Sequence, residues 1–244
     1  MPTYRLDLSY DGSGFHGYAR QPTVRTVQGE LEAALARVLE PVDTVVAGRT
    51  DAGVHARHQV VSFSTAKPVD PDRLARSLTK LLAPEIVVYA AARAPDGFSA
   101  RFSATRRTYR YRVLNSPHPD PLRRTTSWYV SKPLDLGAMN RAVGYLVGEH
   151  DFASFCRRRE GASTVRTVLS AAWSAQHGGI LELEIAGTAF CHQMVRSIVA
   201  FSVEVGRGRI EPGATPQVLR ARDRNEARGA APPHGLVLWQ VHYR

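Results

Sequence analysis

A hydrophobic period that switches repeatedly between about 2 and about 3.6 residues leaves few folds open to this chain. Thr3 to Tyr10 alternates, with Tyr4, Leu6, Leu8 and Tyr10 on one face and Arg5, Asp7 and Ser9 on the other, which is the pattern of a half-buried strand. Asp11-Gly12-Ser13-Gly14 ends it. From Thr26, a candidate N-cap, Val27, Leu31, Leu35 and Val38 recur at helical spacing until Pro41. Thr44 to Ala47 is short and β-branched, and Gln59 to Ser64 alternates again, so Gly48 to Arg57 reads as a loop between two strands. Asp70 and Pro71 open a second helix as N-cap and first helical residue, with Leu74, Leu78 and Leu81 inward, and a strand follows at Ile86 to Ala92.

The second half mixes the same periods. Thr108 to Leu114 reads as a strand and Leu136 to Val147 as a helix ended by Gly148. Val168 to Ile185 reads as a hairpin turning at Gly178-Gly179, Met194 to Val205 as a helix, and Gly235 to Tyr243 as a last strand. Arg220 to Pro233 is polar and closes in a proline pair, the pattern of a frayed helix and a loop. The expected class is α+β, a mixed and largely antiparallel sheet flanked by helices, in two similar lobes spanning 1–104 and 105–244.

Charge narrows the partners. The formal net charge is +10, and of the 32 basic residues only Lys67, Lys80 and Lys132 are lysine. An arginine-rich, basic chain favours polyanions such as nucleic acid, although a GC-rich coding background also enriches arginine. No apolar run reaches membrane-spanning length and the N-terminus has no signal-like core, so a cytoplasmic, membrane-free protein is expected. Cys156 and Cys191 could pair in principle, but in a chain this long without a secretion signal they read better as reduced thiols.

The segment with most chemical content is Ala47-Gly48-Arg49-Thr50-Asp51-Ala52-Gly53-Val54-His55-Ala56. Small residues let a substrate approach the backbone, and an arginine near a carboxylate keeps it ionised, as a nucleophile or base requires. On residue types alone, an Asp capping a turn beside a structural Arg fits as well. Gly48 to Ala56 resembles the active-site signature of the tRNA pseudouridine synthase A family. Tyr10-Asp11-Gly12-Ser13-Gly14-Phe15-His16-Gly17, Thr26 to Leu31, Arg101-Phe102-Ser103-Ala104, His150 to Phe155, Met194-Val195-Arg196 and Val205 to Gly208 follow in that family's order. The chain departs from the family at Tyr18-Ala19, where Trp-Gln is common, and Cys191-His192-Gln193 is one variant of a variable stretch.

The resemblance implies a pseudouridine synthase fold with a central basic cleft, in which the two lobes bring the site residues together. It implies Asp51 as catalytic residue, Arg49 holding the substrate or filling the space of the displaced base, Tyr109 stacking on a flipped uracil and Arg196 pairing with Asp51. It also implies the anticodon arm of tRNA as substrate, a homodimer, and no cofactor or metal. Tyr111 is expected in the core. Arg106-Arg107, Arg123-Arg124, Arg157-Arg158-Arg159 and the Arg220 to Arg228 segment are expected to contact phosphates. Two rivals stand beside this reading. Asp51, His55 and His58 suggest a metal-dependent hydrolase, which EDTA would inactivate, and the basic surface alone suits an RNA-binding protein indifferent to Asp51.

Overall fold

The structure is a computed structural model that describes residues 1–157, 161–227 and 229–244. It divides into two compact units, one of Met1–Arg107 with Val237–Arg244 and the other Thr108–Leu236. The division falls three residues beyond the boundary read from sequence and assigns the last eight residues to the first unit.

The elements of the first half are β1 (Thr3–Tyr10), α1 (Val27–Val38), β2 (Val45–Val46), β3 (His55–Ser64), α2 (Pro71–Leu82) and β4 (Ile86–Arg93). β1 is central and pairs antiparallel with both β3 and β4. β2 adds antiparallel to β3. The helices begin as the sequence predicts: the Thr26 and Asp70 side chains accept from Gly29 N and Arg73 N. Leu31, Leu35, Leu74 and Leu78 are buried with Leu6, Leu8, Val61 and Phe63. The opposite side of β3 is covered as well, because Ala100 N–H donates to the Ser62 hydroxyl at 3.0 Å.

The second half holds β5 (Ala104–Asn115), β6 (Trp128–Val130), α3 (Leu136–Gly144), β7 (Gly148–Asp151), β8 (Val165–Gln176), β9 (Ile180–Gly187), α4 (Met194–Gly206), α5 (Thr215–Ala221) and β10 (Leu236–Tyr243). β10 runs parallel to β3 through Val237 and Leu238. Within the second unit the strand order is β5-β9-β8-β7, and β6 lies parallel on β5. The β8–β9 hairpin is antiparallel, and its turn residues Gly178 and Gly179 have φ of +72° and +73°, which two consecutive side chains would resist. The mixed, mostly antiparallel pairing with flanking helices is the α+β class expected.

α4 is the second unit's buried helix. Apolar on nearly all sides, it buries Met194, Val195, Ile198, Val199, Phe201, Val203 and Val205. Three expectations need correction here. The helix expected to reach Val147 stops at Gly144, and Gly148 instead opens β7, paired antiparallel with β8. The frayed helix expected from Arg220 begins earlier, at Thr215, and ends at Ala221. Cys156 and Cys191, read as separate thiols, have Cα atoms 5.7 Å apart and form a disulfide, because the turn after Phe152 packs beside the lead into α4.

Candidate active site

The loop between β2 and β3 is built by its neighbours before it is built by itself. Tyr18 N–H donates to Thr50 O at 3.0 Å, Gly53 N–H to Phe15 O at 3.4 Å, and Val54 N–H to Asp51 O at 3.2 Å. The turn at Asp51 is thus closed by its backbone carbonyl, with Gly53 at φ +76°. A Cβ on Gly12 would lie 2.0 Å from Val54 O, and one on Gly17 would lie 3.1 Å from Thr50 O. These two glycines are where the Tyr10–Gly17 segment and the Asp51 loop press backbone to backbone. Thr26 to Gln28 in turn fixes that segment, since Val27 N–H donates to Gly17 O and Gln28 N–H to Tyr18 O. Three sequence motifs are therefore one structural device.

Beneath the loop lies a buried polar relay. Gln59 Nε2 donates to Gly48 O at 2.8 Å and to the Tyr10 hydroxyl at 3.3 Å. The Tyr10 hydroxyl also shares a hydrogen bond with Thr50 Oγ1 at 2.7 Å. Burial pushes the Tyr10 phenol up to about 12, against the opposing bonds from Thr50 and Gln59. Arg107 completes the support. Its buried guanidinium donates to Ala47 O at 3.0 and 3.3 Å, to Ala104 O at 3.0 Å and to Arg101 O at 2.7 Å. That corrects its expected phosphate role, because the group is committed to backbone carbonyls. Tyr10 lay in a quoted motif, whereas nothing in the periodicity singled out Gln59 or this use of Arg107.

The two histidines that follow the loop lie beside different carboxylates, His55 beside Asp11 and His58 beside Asp7. Gly12 N–H donates to His55 Nδ1 at 3.1 Å, and Asp11 Oδ1 lies 3.0 Å from the same nitrogen. Burial raises the Asp11 carboxyl, but the Ser13 N–H and hydroxyl, with His55, outweigh it and hold the group below its ordinary value. His58 accepts Val241 N–H at Nδ1, which leaves Nε2–H to donate to Asp7 Oδ1 at 2.7 Å. Among the described residues no three His, Cys, Asp or Glu side chains group as metal ligands. The Asp51, His55 and His58 set behind the hydrolase rival is not such a cluster.

Arg49 is exposed and Asp51 half-buried, both on the first unit's loop. Tyr109, on the second-unit part of β5, is 8% exposed and meets Phe190 edge to face with centroids 5.2 Å apart. Tyr111 is fully buried and donates to Pro232 O at 2.8 Å. Both rings are buried, and Tyr111 takes the core place expected of it. Phe190 gave no signal in the sequence. Arg196 is half-buried on a helix whose other residues, Glu204 apart, are buried, and its Nε donates to Ala231 O at 2.7 Å while Ala231 N–H donates to Arg196 O.

A family model described as tRNA pseudouridine synthase matches residues 8–103 and 142–244. The chain belongs to the tRNA pseudouridine synthase family. It is 48% identical to tRNA pseudouridine synthase A of Frankia casuarinae over 98% of this chain and 88% of that protein. The proteins of the same name from Streptomyces griseus and Bacillus subtilis are 46% and 42% identical, each over 98% of this chain and over 87% and 98% of their own lengths. Likeness to a chain of the archaeal box H/ACA sRNP Nop10-Cbf5 complex is slight, with a TM-score of 0.35 and 14% identity over 82% of this chain and 44% of that one.

For a member of the tRNA pseudouridine synthase family, the placement of arginines matters. Arg106 bonds His242, and Arg123 is tied to Asp120 at 3.2 Å and Gly178 O at 3.0 Å, while Arg124 and Arg157 are exposed. Arg158, Arg159 and Arg228 lie outside the described residues. Among the described residues no helix is long and apolar enough to cross a membrane.

Proposed function

We propose that this chain isomerises uridine to pseudouridine in the anticodon arm of tRNA, at tRNA positions 38 to 40, with Asp51 as the catalytic carboxylate. The observation that carries the reading is the family match, which runs through both halves of the chain and includes the Asp51 loop and the start of α4. The rigidly anchored backbone around Asp51 is consistent with a site whose chemistry depends on one positioned group.

The reaction breaks C1′–N1 and forms C1′–C5. The proton on C5 leaves and N1 ends protonated, so atoms balance with no cofactor and no change of oxidation state. Asp51 acts by attack on C1′, by addition at C6, or by removal of a sugar proton, and each route needs a carboxylate kept ionised. In this reading Tyr109 stacks on the flipped uracil, Arg196 pairs with Asp51, and Arg49 holds the substrate or fills the place of the displaced base. These roles require the two units to present their residues to one basic cleft, in a cytoplasmic homodimer.

Tritium release from C5-labelled uridine in tRNA tests the assignment. Asp51→Ala is expected to abolish release while keeping tRNA affinity within a few-fold, and surviving release would refute it. Absence of tritium release from the wild-type protein, with tRNA affinity the same in wild type and Asp51→Ala, would instead favour the RNA-binding rival.

A further inference from the structure

We infer that a basic cavity in the second unit is a binding site for a backbone phosphodiester of the RNA. The inference rests on the tRNA reading and adds a site to it. The cavity has a volume of about 550 Å³, and its walls include Arg157, Gln193, Arg222, Asp223 and Arg224. Three guanidinium groups thus come to one concavity from two separate stretches of chain, with Gln193 supplied by a third. Forked donors of this kind match phosphate oxygens.

The walls are held in place by interactions that orient the arginines. Asp151 accepts from Ala153 N–H at 3.0 Å and from the Thr164 hydroxyl at 2.6 Å through Oδ1, and its Oδ2 engages Arg222 Nε at 3.0 Å. Gln193 Oε1 accepts from Arg224 Nη2. Arg157 N–H donates to His192 O at 2.9 Å, and Asp223 spends Oδ1 on Asn225 N–H at 2.9 Å. The His150-to-Phe155 motif, which the proposed chemistry leaves without a task, supplies the carboxylate that positions Arg222.

Backbone conformation points to the same place. Among the described residues, the non-glycine residues with positive φ are Gln193 at +64° and Arg222 at +53°, and both line this cavity. Side-chain-bearing residues hold that conformation at a cost, and such positions gather where a ligand is bound. Gln193 is also the N-cap of α4, yet its side chain makes no capping bond and turns to Arg224. The positive end of a 13-residue helix therefore adjoins the arginines. Arg196 follows one turn later, so a phosphate held here would anchor RNA beside a residue of the proposed site.

Equilibrium binding of unmodified tRNA over a salt series tests the inference, using Arg157→Gln, Arg222→Gln, Arg224→Gln and the triple variant. Each single change is expected to weaken binding roughly 5- to 20-fold near physiological salt and to make the log–log salt slope shallower by about one. Arg157 is exposed, so its variant remains informative if the others fold poorly. Wild-type affinity and slope in Arg157→Gln and in every other folded variant would overturn the site, as would a cavity that serves inorganic phosphate or a free nucleotide and leaves tRNA binding untouched. Tritium release by the wild-type protein, measured alongside, tests the functional reading separately.

Discussion

Gly12 lacks a side chain because Val54 occupies the space. Its N–H also reaches His55, so the residue is fixed from two directions by the chain that follows Asp51. Gly12→Ala places a carbon 2.0 Å from a backbone carbonyl, which only movement of the loop can relieve. We expect a loss of about 1–3 kcal/mol in urea denaturation, together with loss of tritium release out of proportion to the lost stability. Asp7 carries a second prediction. Burial pushes its carboxyl up, but bonds from His58 and Arg5 more than offset this and hold it below its ordinary value of 3.8. A depressed folded-state pKa contributes stability above the unfolded value and loses it as pH falls through the folded one. Wild type should therefore weaken below about pH 4, and Asp7→Asn should be less stable at neutral pH with a flatter acid limb in denaturation curves.

At the scale of elements, helix starts obey local chemistry. The Asp70 carboxylate accepts from Arg73 N–H at 3.0 Å and Pro71 follows in the first turn, so Asp70→Ala should cost about 1 kcal/mol in chemical denaturation without altering tRNA binding. Elements that lack such signals were not legible. β7 is Gly-Glu-His-Asp and β6 is Trp-Tyr-Val, too short for alternation to register, and each exists because β8 or β5 offers a partner edge. The segment 48–56, a loop that runs into the start of β3, was readable as a chemical segment from its residue types. Its supports were not, since Gln59 sits in an ordinary strand pattern and Arg107 in what looks like a surface charge run.

For the molecule as a whole, a charge of +10 makes the binding of a polyanion depend on salt. Affinity for tRNA should fall steeply between low and physiological salt in a filter-binding or anisotropy titration, and an affinity indifferent to salt would remove the electrostatic basis of the RNA reading. By itself the sequence determined the alternating elements, the two principal helix caps, the helical period of α4 and the family, because each is written in local period or in a contiguous motif. Tertiary structure alone decided that Gly12 and Gly17 cushion the Asp51 loop, that Arg107 serves carbonyls and not phosphates, that Cys156 meets Cys191, and that three arginines share a cavity. Those facts depend on which distant backbone arrives beside a residue, and a buried donor answers to the acceptor it meets in space, whatever its neighbours in the chain suggest.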